Sequence, residues 1–202
     1  YQVTMAQIDP PANVQALLAK AAFLKTEQKY PEARDRAQAA VKADKPIGLL
    51  LQKDPKVEKP GPADLNGVGT VAQILRYITT PDGANHIVSQ GEARFRVVEF
   101  LDGYPFLVAR VERIAAPDEA GNETEARLVQ LKERAVQALE LLPETPQEMV
   151  QAVQSYTSAG QLADMVAGFM DVKPAEKQAV LETLAVERRV DRVLGMLAHR
   201  IE

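Results

Sequence analysis

The sequence predicts an α+β chain in two parts. An antiparallel β domain, a small barrel or curled sheet, is expected over residues 1–116, and a C-terminal helical bundle ending in a long helix over residues 117–202. Three observations predict it. Apolar residues recur near the two-residue period of strands through the middle of the chain. Turn signals at Pro60-Gly61-Pro62, Pro81-Asp82-Gly83 and Asp102-Gly103 punctuate those runs. After Pro117 the apolar period changes to that of a helix.

The stretch Pro60–Ile78 organises the β half, because its Pro/Gly brackets lead into a run of aliphatic and β-branched residues, as in a buried strand that begins abruptly. Further strands are expected at Asn85–Ser89, Arg94–Leu101 and Tyr104–Ile114, the last two joined as a hairpin through Asp102-Gly103. In Tyr104–Ile114 one face holds Phe106, Val108, Arg110, Glu112 and Ile114, the other Leu107, Ala109, Val111 and Arg113. Both faces are apolar at the start, which predicts a sheet packed on both sides. Upstream, Gln2–Ala6 reads as a short strand, and a helix is expected after Asp9-Pro10-Pro11 from the spacing of Val14, Leu17, Leu18 and Ala21. A second helix is expected from Pro31 to Ala43, then a strand at Ile47–Leu51 and a charged, proline-bearing loop over Gln52–Pro62.

In the second half, Leu128, Leu131, Ala135, Leu139 and Leu142 fall on one face of a long helix beginning near Glu123 and stopped by Pro143; if that face covers the sheet, a β fragment cut at about Ala116 is expected to be poorly soluble. Thr145-Pro146-Gln147-Glu148 and Ser158-Ala159-Gly160-Gln161 are helix starts in which side chains satisfy unpaired backbone N–H groups. Leu162, Met165, Val166, Phe169 and Met170 follow at bundle spacing, Pro174 opens another helix, and Val186, Val190, Val193, Leu194, Leu197 and Ile201 line the last one. That helix reaches Glu202 without a stop signal and is expected to continue.

Composition narrows function. With 46 % hydrophobic and 26 % charged residues the chain resembles an ordinary globular protein, and no apolar run approaches the roughly 18–20 residues that cross a bilayer. It opens on Tyr1, so a truncated or processed start is expected, with no secretory signal recognisable. The absence of cysteine excludes disulfides, zinc thiolates and a cysteine nucleophile, and fits a cytoplasmic location. Net charge is −4. The acidic excess lies in residues 117–202, and the β half carries no basic stripe, so neither nucleic acid nor membrane is expected as a partner.

No catalytic set is evident. Gly67-Val68-Gly69-Thr70 lacks the lysine and helix start of a phosphate loop. His86 and His199 have no metal-ligand spacing, and Ser89 would lie across a strand from His86. The carboxylate pairs Asp118/Glu119 and Glu123/Glu125 read as a solvated linker and helix N-terminal charge. Met165, Phe169, Met170 and Met196 read as bundle core before an adaptable peptide surface. The chain itself is expected to carry no catalytic residues, metal or cofactor.

Gln52-Lys53-Asp54, Pro60-Gly61-Pro62, Asp64-Leu65, Val68-Gly69-Thr70-Val71-Ala72, Pro81-Asp82-Gly83, Leu142-Pro143, Leu162-Ala163-Asp164, Glu176-Lys177-Gln178 and Leu181-Glu182 occur in an order that resembles the N-terminal domain of Lon, the ATP-dependent serine protease. The resemblance runs from about Val41 to Glu202. It implies a PUA-like β domain and helical bundle that recognise unfolded or degron-bearing proteins in protein quality control. In the full-length parent it also implies a homo-hexamer, an AAA+ ATPase using ATP and Mg, and a Ser-Lys protease. Residues 1–30 depart from the family's usual opening. Substrate contacts are expected to be weak and spread over Glu32, Arg34 and Arg36 on the helix Glu32–Val41, and over the turns at Pro81 and Asp82 and at Asp102 and Tyr104. The alternative is a free-standing PUA-like module that binds a folded partner or small ligand without a protease.

Overall fold

The computed structural model of the chain describes residues 3–7, 21–26, 46–79, 85–103, 107–116, 119, 121–141 and 147–201. It divides into two compact units, residues 1–115 and 116–202.

In the first unit six strands form one sheet: β1 (Val3–Gln7), β2 (Ala21–Thr26), β3 (Ile47–Leu51), β4 (Val68–Thr79), β5 (Asn85–Leu101) and β6 (Val108–Ile114). Their order is β2-β5-β4-β3-β1-β6, and β5 also pairs with β6. That extra pairing curls the sheet. One edge of β5 carries β4, while the other carries β2 against Asn85–Gln90 and then β6 against Arg94–Leu101. A parallel bridge between Gln7 and Val108 joins β1 to β6 and brings the ring round. The curled sheet followed by helices is the predicted fold class.

The two central runs expected as separate strands are one strand of 17 residues. A bulge lies between them: Val71 pairs with Ala93 and Ala72 with Gly91, so Glu92 is an extra residue. Two more bulges fall at Leu75, between Ile74 and Arg76, and at Val98, between Val97 and Glu99. Each adds a residue to one strand only, which sharpens the local twist and lets a long strand bend round a small core. Ala21, expected on a helix, instead opens β2 opposite Gln90, because pairing with β5 overrides its helical spacing. The remainder of that helix, the helix Pro31–Ala43, and Tyr104–Phe106 lie outside the described residues.

The inside of the curl is held by Leu50, Leu65, Val71 and Phe95, with Val97, Phe100, Leu107 and Val111 packed against them. Full burial of such side chains contributes about 1.5–3 kcal/mol each. On β6 the alternation resolves: Ala109 and Val111 face this core, and Arg110 and Glu112 face solvent. Gly69 lies between Leu50 and Phe95, where a Cβ would collide with the carbonyl oxygen of Leu49 and come within 2.7 Å of Leu50 Cδ2 and of Phe95 Cζ. The missing side chain is the space the Phe95 ring uses. Ile47, Ala72, Ile74 and Ser89, on the opposite face of the sheet, are buried too, so both faces are packed.

The second unit contains five helices among the described residues: α1 (Asn122–Glu140), α2 (Gln147–Ser155), α3 (Ala159–Phe169), α4 (Pro174–Glu182) and α5 (Val186–Ile201). Hydrogen bonds from Thr124 to Glu187 and from Arg127 to Asp191 set α1 and α5 side by side and parallel. Leu131 and Ala135 are buried with Leu162, Val190, Val193 and Leu197, and Leu128 and Leu139 pack on the same cluster. The leucine face of α1 is therefore consumed within the bundle. The stripe of α5 supplies the apolar partner it needs. Phe169, expected on the buried stripe, is 55 % exposed, because α3 ends there and Met170 turns to extended backbone.

Candidate binding surface

The segment Gln52–Asn66, which carries several of the resemblance residues, is a self-bonded loop. Gln52, almost fully buried, donates from Nε2 to the carbonyls of Asp54 (2.6 Å) and Val57 (2.7 Å). Asp54 Oδ1 accepts from the Lys56 N–H, Lys53 Nζ donates to the Ala63 carbonyl, and Asp64 Oδ2 accepts from the Gly61 N–H at 2.8 Å. Asn66 Nδ2 returns the chain to β3 through the Leu51 carbonyl. These side chains are committed to the loop's own backbone and shape the entry into β4.

A second group holds the bundle together. Arg189 is 2 % exposed; it donates from Nη1 to Asp164 Oδ2 at 3.1 Å, from Nε to the Thr183 carbonyl and from Nη2 to the Leu184 carbonyl. One guanidinium thus ties α3, the turn after α4, and α5, and its fork geometry suits that triple role. Glu119 is not a free linker carboxylate. It accepts from the Ser158 hydroxyl and the Ala159 N–H, both at 2.8 Å, at the N-terminus of α3, where negative charge meets the helix dipole. Ser158 Oγ in turn accepts from the Gln161 N–H. Gly160 makes room for this, since a Cβ there would stand 2.8 Å from Glu119 Oε1. In the resemblance segment Glu176-Lys177-Gln178, Glu176 accepts the Lys173 N–H, Lys177 donates to the Gly168 carbonyl, and Gln178 donates to Glu182. At Arg127, hydrogen bonds to Asp191 and Glu123 hold the guanidinium even more firmly charged than usual.

No catalytic constellation assembles among the described residues. Ser89 is buried, Ser155 donates to the Ala152 carbonyl, and Ser158 serves the helix cap. No group of three metal-ligating side chains comes together among them, and no helix there is long and apolar enough to cross a membrane. Among the described residues the candidate surface is the exterior of the curled sheet. Its β5–β6 face carries the ion pairs Glu99–Arg110 (3.0 Å) and Arg96–Glu112 (4.0 Å), with Val98 exposed on the bulge of β5. Leu75, the bulge residue of β4, is likewise exposed, next to exposed Arg76.

Of the sequence-derived contact residues, Asp102 lies exposed on the bend that follows β5, before Gly103 at a φ of 88° that suits glycine. Glu32, Arg34, Arg36, Pro81, Asp82 and Tyr104 lie outside the described residues. Sequence reasoning did not single out Leu75 and Val98. Both stand at bulges, where the extra residue shifts the alternation, as between Val97 and Phe100, which pack on the same core three residues apart.

Residues 24–199 match the family model of the ATP-dependent protease La (LON) substrate-binding domain. The chain is 48 % identical over 172 residues to a Lon protease of Methylocella silvestris, covering 85 % of this chain and 21 % of that protein. It is 46 % identical over 173 residues to a Lon protease of Phenylobacterium zucineum, with 85 % and 22 % covered. It therefore spans about a fifth of the length of the curated relatives it matches. Among solved structures, the N-terminal domain of a Mycobacterium avium complex Lon protease superposes with a TM-score of 0.68 at 22 % identity, over 96 % of this chain and 98 % of that one. A Lon N-terminal domain protein from Xanthomonas campestris gives 0.59 at 16 % identity, over 95 % and 98 %. These two show the same fold.

Proposed function

The chain belongs to the LON substrate-binding domain family, and from that premise we propose that it captures unfolded or degron-bearing polypeptides for an ATP-dependent Lon protease. The observation that carries this reading is the family match across residues 24–199, through both units. The chemistry of the described residues agrees with it: polar side chains are committed to loops and caps, and the sheet exterior offers apolar and charged groups in small, scattered pieces. Such a surface suits weak contact with many sequences, because unfolded chains differ from folded ones mainly in the apolar side chains they expose.

Retention then comes from number. In the full-length parent, a cytoplasmic homo-hexamer whose ATPase uses ATP and Mg, several of these domains engage one chain, and effective concentration multiplies modest affinities. Contacts by Glu32, Arg34 and Arg36, and by Pro81, Asp82, Asp102 and Tyr104, are part of this proposal. The test is titration of a labelled, permanently unfolded polypeptide into the 202-residue chain and into the assembled hexamer without nucleotide. Weak binding by the chain and tighter binding by the hexamer are expected. Equal, tight, saturable binding by both would contradict the multivalent account.

A further inference from the structure

From the strand pairing of the first unit we infer that an extended polypeptide segment docks by adding a strand to the outer edge of β4, over Leu75–Thr79. The inference rests on the proposed capture of polypeptides and names how they are held.

β4 is 12 residues long, but β3 follows it only from Thr70 to Ala72, where Ile47 is the last partner. Pro46, the residue before Ile47, lies outside the strand, so the ladder between β3 and β4 ends at Ile47. β4 continues to Thr79 while pairing with β5 on its other edge as far as Asn85. β2 in turn backs β5 over Asn85–Gln90. The Leu75–Thr79 stretch is thus the outer strand of a three-stranded arm, with no strand on its far edge among the described residues. An arm already paired on one side presents its outward N–H and C=O groups in strand geometry, so an incoming chain alone bears the ordering cost.

Backbone pairing fits the proposed partner, because the main chain is what all unfolded polypeptides share whatever their side chains. Five residues, about 16 Å at ~3.3 Å each, match an ordinary strand. Charge selects among occupants. Arg76 is exposed and makes no ion pair among the described residues, so it lies across from one residue of an added strand, about 5 Å away. An acidic or neutral residue is favoured there and a basic one disfavoured. A second copy of this chain meeting edge to edge would bring its own Arg76 to the same arm, a charge device that guards open edges against self-pairing.

The probes are three acetylated eight-residue peptides rich in Val, Thr and Ile: one carrying glutamate, one with lysine in its place, and the glutamate peptide N-methylated at alternate residues. Binding is read by fluorescence anisotropy, and amide exchange of the chain is followed at saturation. The glutamate peptide is expected to protect amides within Leu75–Thr79, and N-methylation, which removes donors without changing side chains, to weaken it at least about tenfold. Arg76→Glu is expected to reverse the preference between glutamate and lysine. Binding that is indifferent to N-methylation, or that protects amides only elsewhere, overturns this inference alone and leaves polypeptide capture standing. Failure of every peptide and of a permanently unfolded protein to bind overturns both. Concentration-dependent dimerisation that protects the same amides makes a second copy the occupant and overturns it as well.

Discussion

Gly69→Ala tests how the first unit is held together. The added methyl would meet the Leu49 carbonyl oxygen, a backbone atom fixed by the β3–β4 ladder, as well as Leu50 Cδ2 and Phe95 Cζ at 2.7 Å each. Phe95 is fully buried and Leu50 nearly so, so neither can swing into solvent. Overpacking of this kind costs about 1–3 kcal/mol, and the backbone collision places this case at the top, about 3 kcal/mol. At about 4 °C per kcal/mol for a unit of this size, the transition of the first unit falls by about 12 °C. Gly67→Ala is the internal control: nothing stands within 4 Å of its added Cβ, and its midpoint is expected within about 1 °C of the parent. Scanning calorimetry of the three chains reads the result, with amide exchange assigning the shifted transition to the sheet. A Gly69→Ala chain that melts with the parent would refute the close approach of β3, β4 and Phe95.

Arg189→Met removes the cation that ties Asp164, Thr183 and Leu184, and the bundle is expected to lose about 3 kcal/mol, seen as a lower urea midpoint with unchanged slope. Glu119→Ala strips the N-terminus of α3 of its carboxylate acceptor, at a cost of about 1 kcal/mol, and the Ala159 amide is expected to exchange faster while amides in the middle of α5 hold their rates. Separation of the chain after residue 116 is expected to leave a helical fragment, 117–202, that folds by itself with cooperative urea unfolding, because its core is drawn from its own helices. The purified 202-residue chain is expected neither to hydrolyse ATP nor to cleave casein, measured by phosphate release and by fluorescent peptide release, with activity that follows the folded chain through stringent purification as the contrary result.

Much of this architecture was legible in the residues because local chemistry and tertiary packing agree. The cap at Ser158 that starts α3, the helical spacing of the α5 stripe and the apolar run Ile47–Leu51 are local signals, and the structure has all three. Reading failed where distant pairing decides. Ala21 has helical spacing but opens a strand because β5 is long enough to receive it. Asn85–Ser89 and Arg94–Leu101 read as two strands because the bulge at Glu92 interrupts the alternation within one. Glu119 looks like a solvated charge because its partners, Ser158 and Ala159, lie some forty residues away. The surface was the least legible part. Exposure of Leu75 and Val98 depends on bulges that arise in pairing with neighbouring strands.

Capture of unfolded polypeptide is the central claim, and one comparison tests it most directly. A single small protein, labelled once, is titrated into the 202-residue chain in its native state and in a permanently unfolded form made by a destabilising substitution, under the same buffer and followed by anisotropy. The account predicts weak, saturable binding of the unfolded form and none of the native form. Equal binding of both, or of neither, would contradict it.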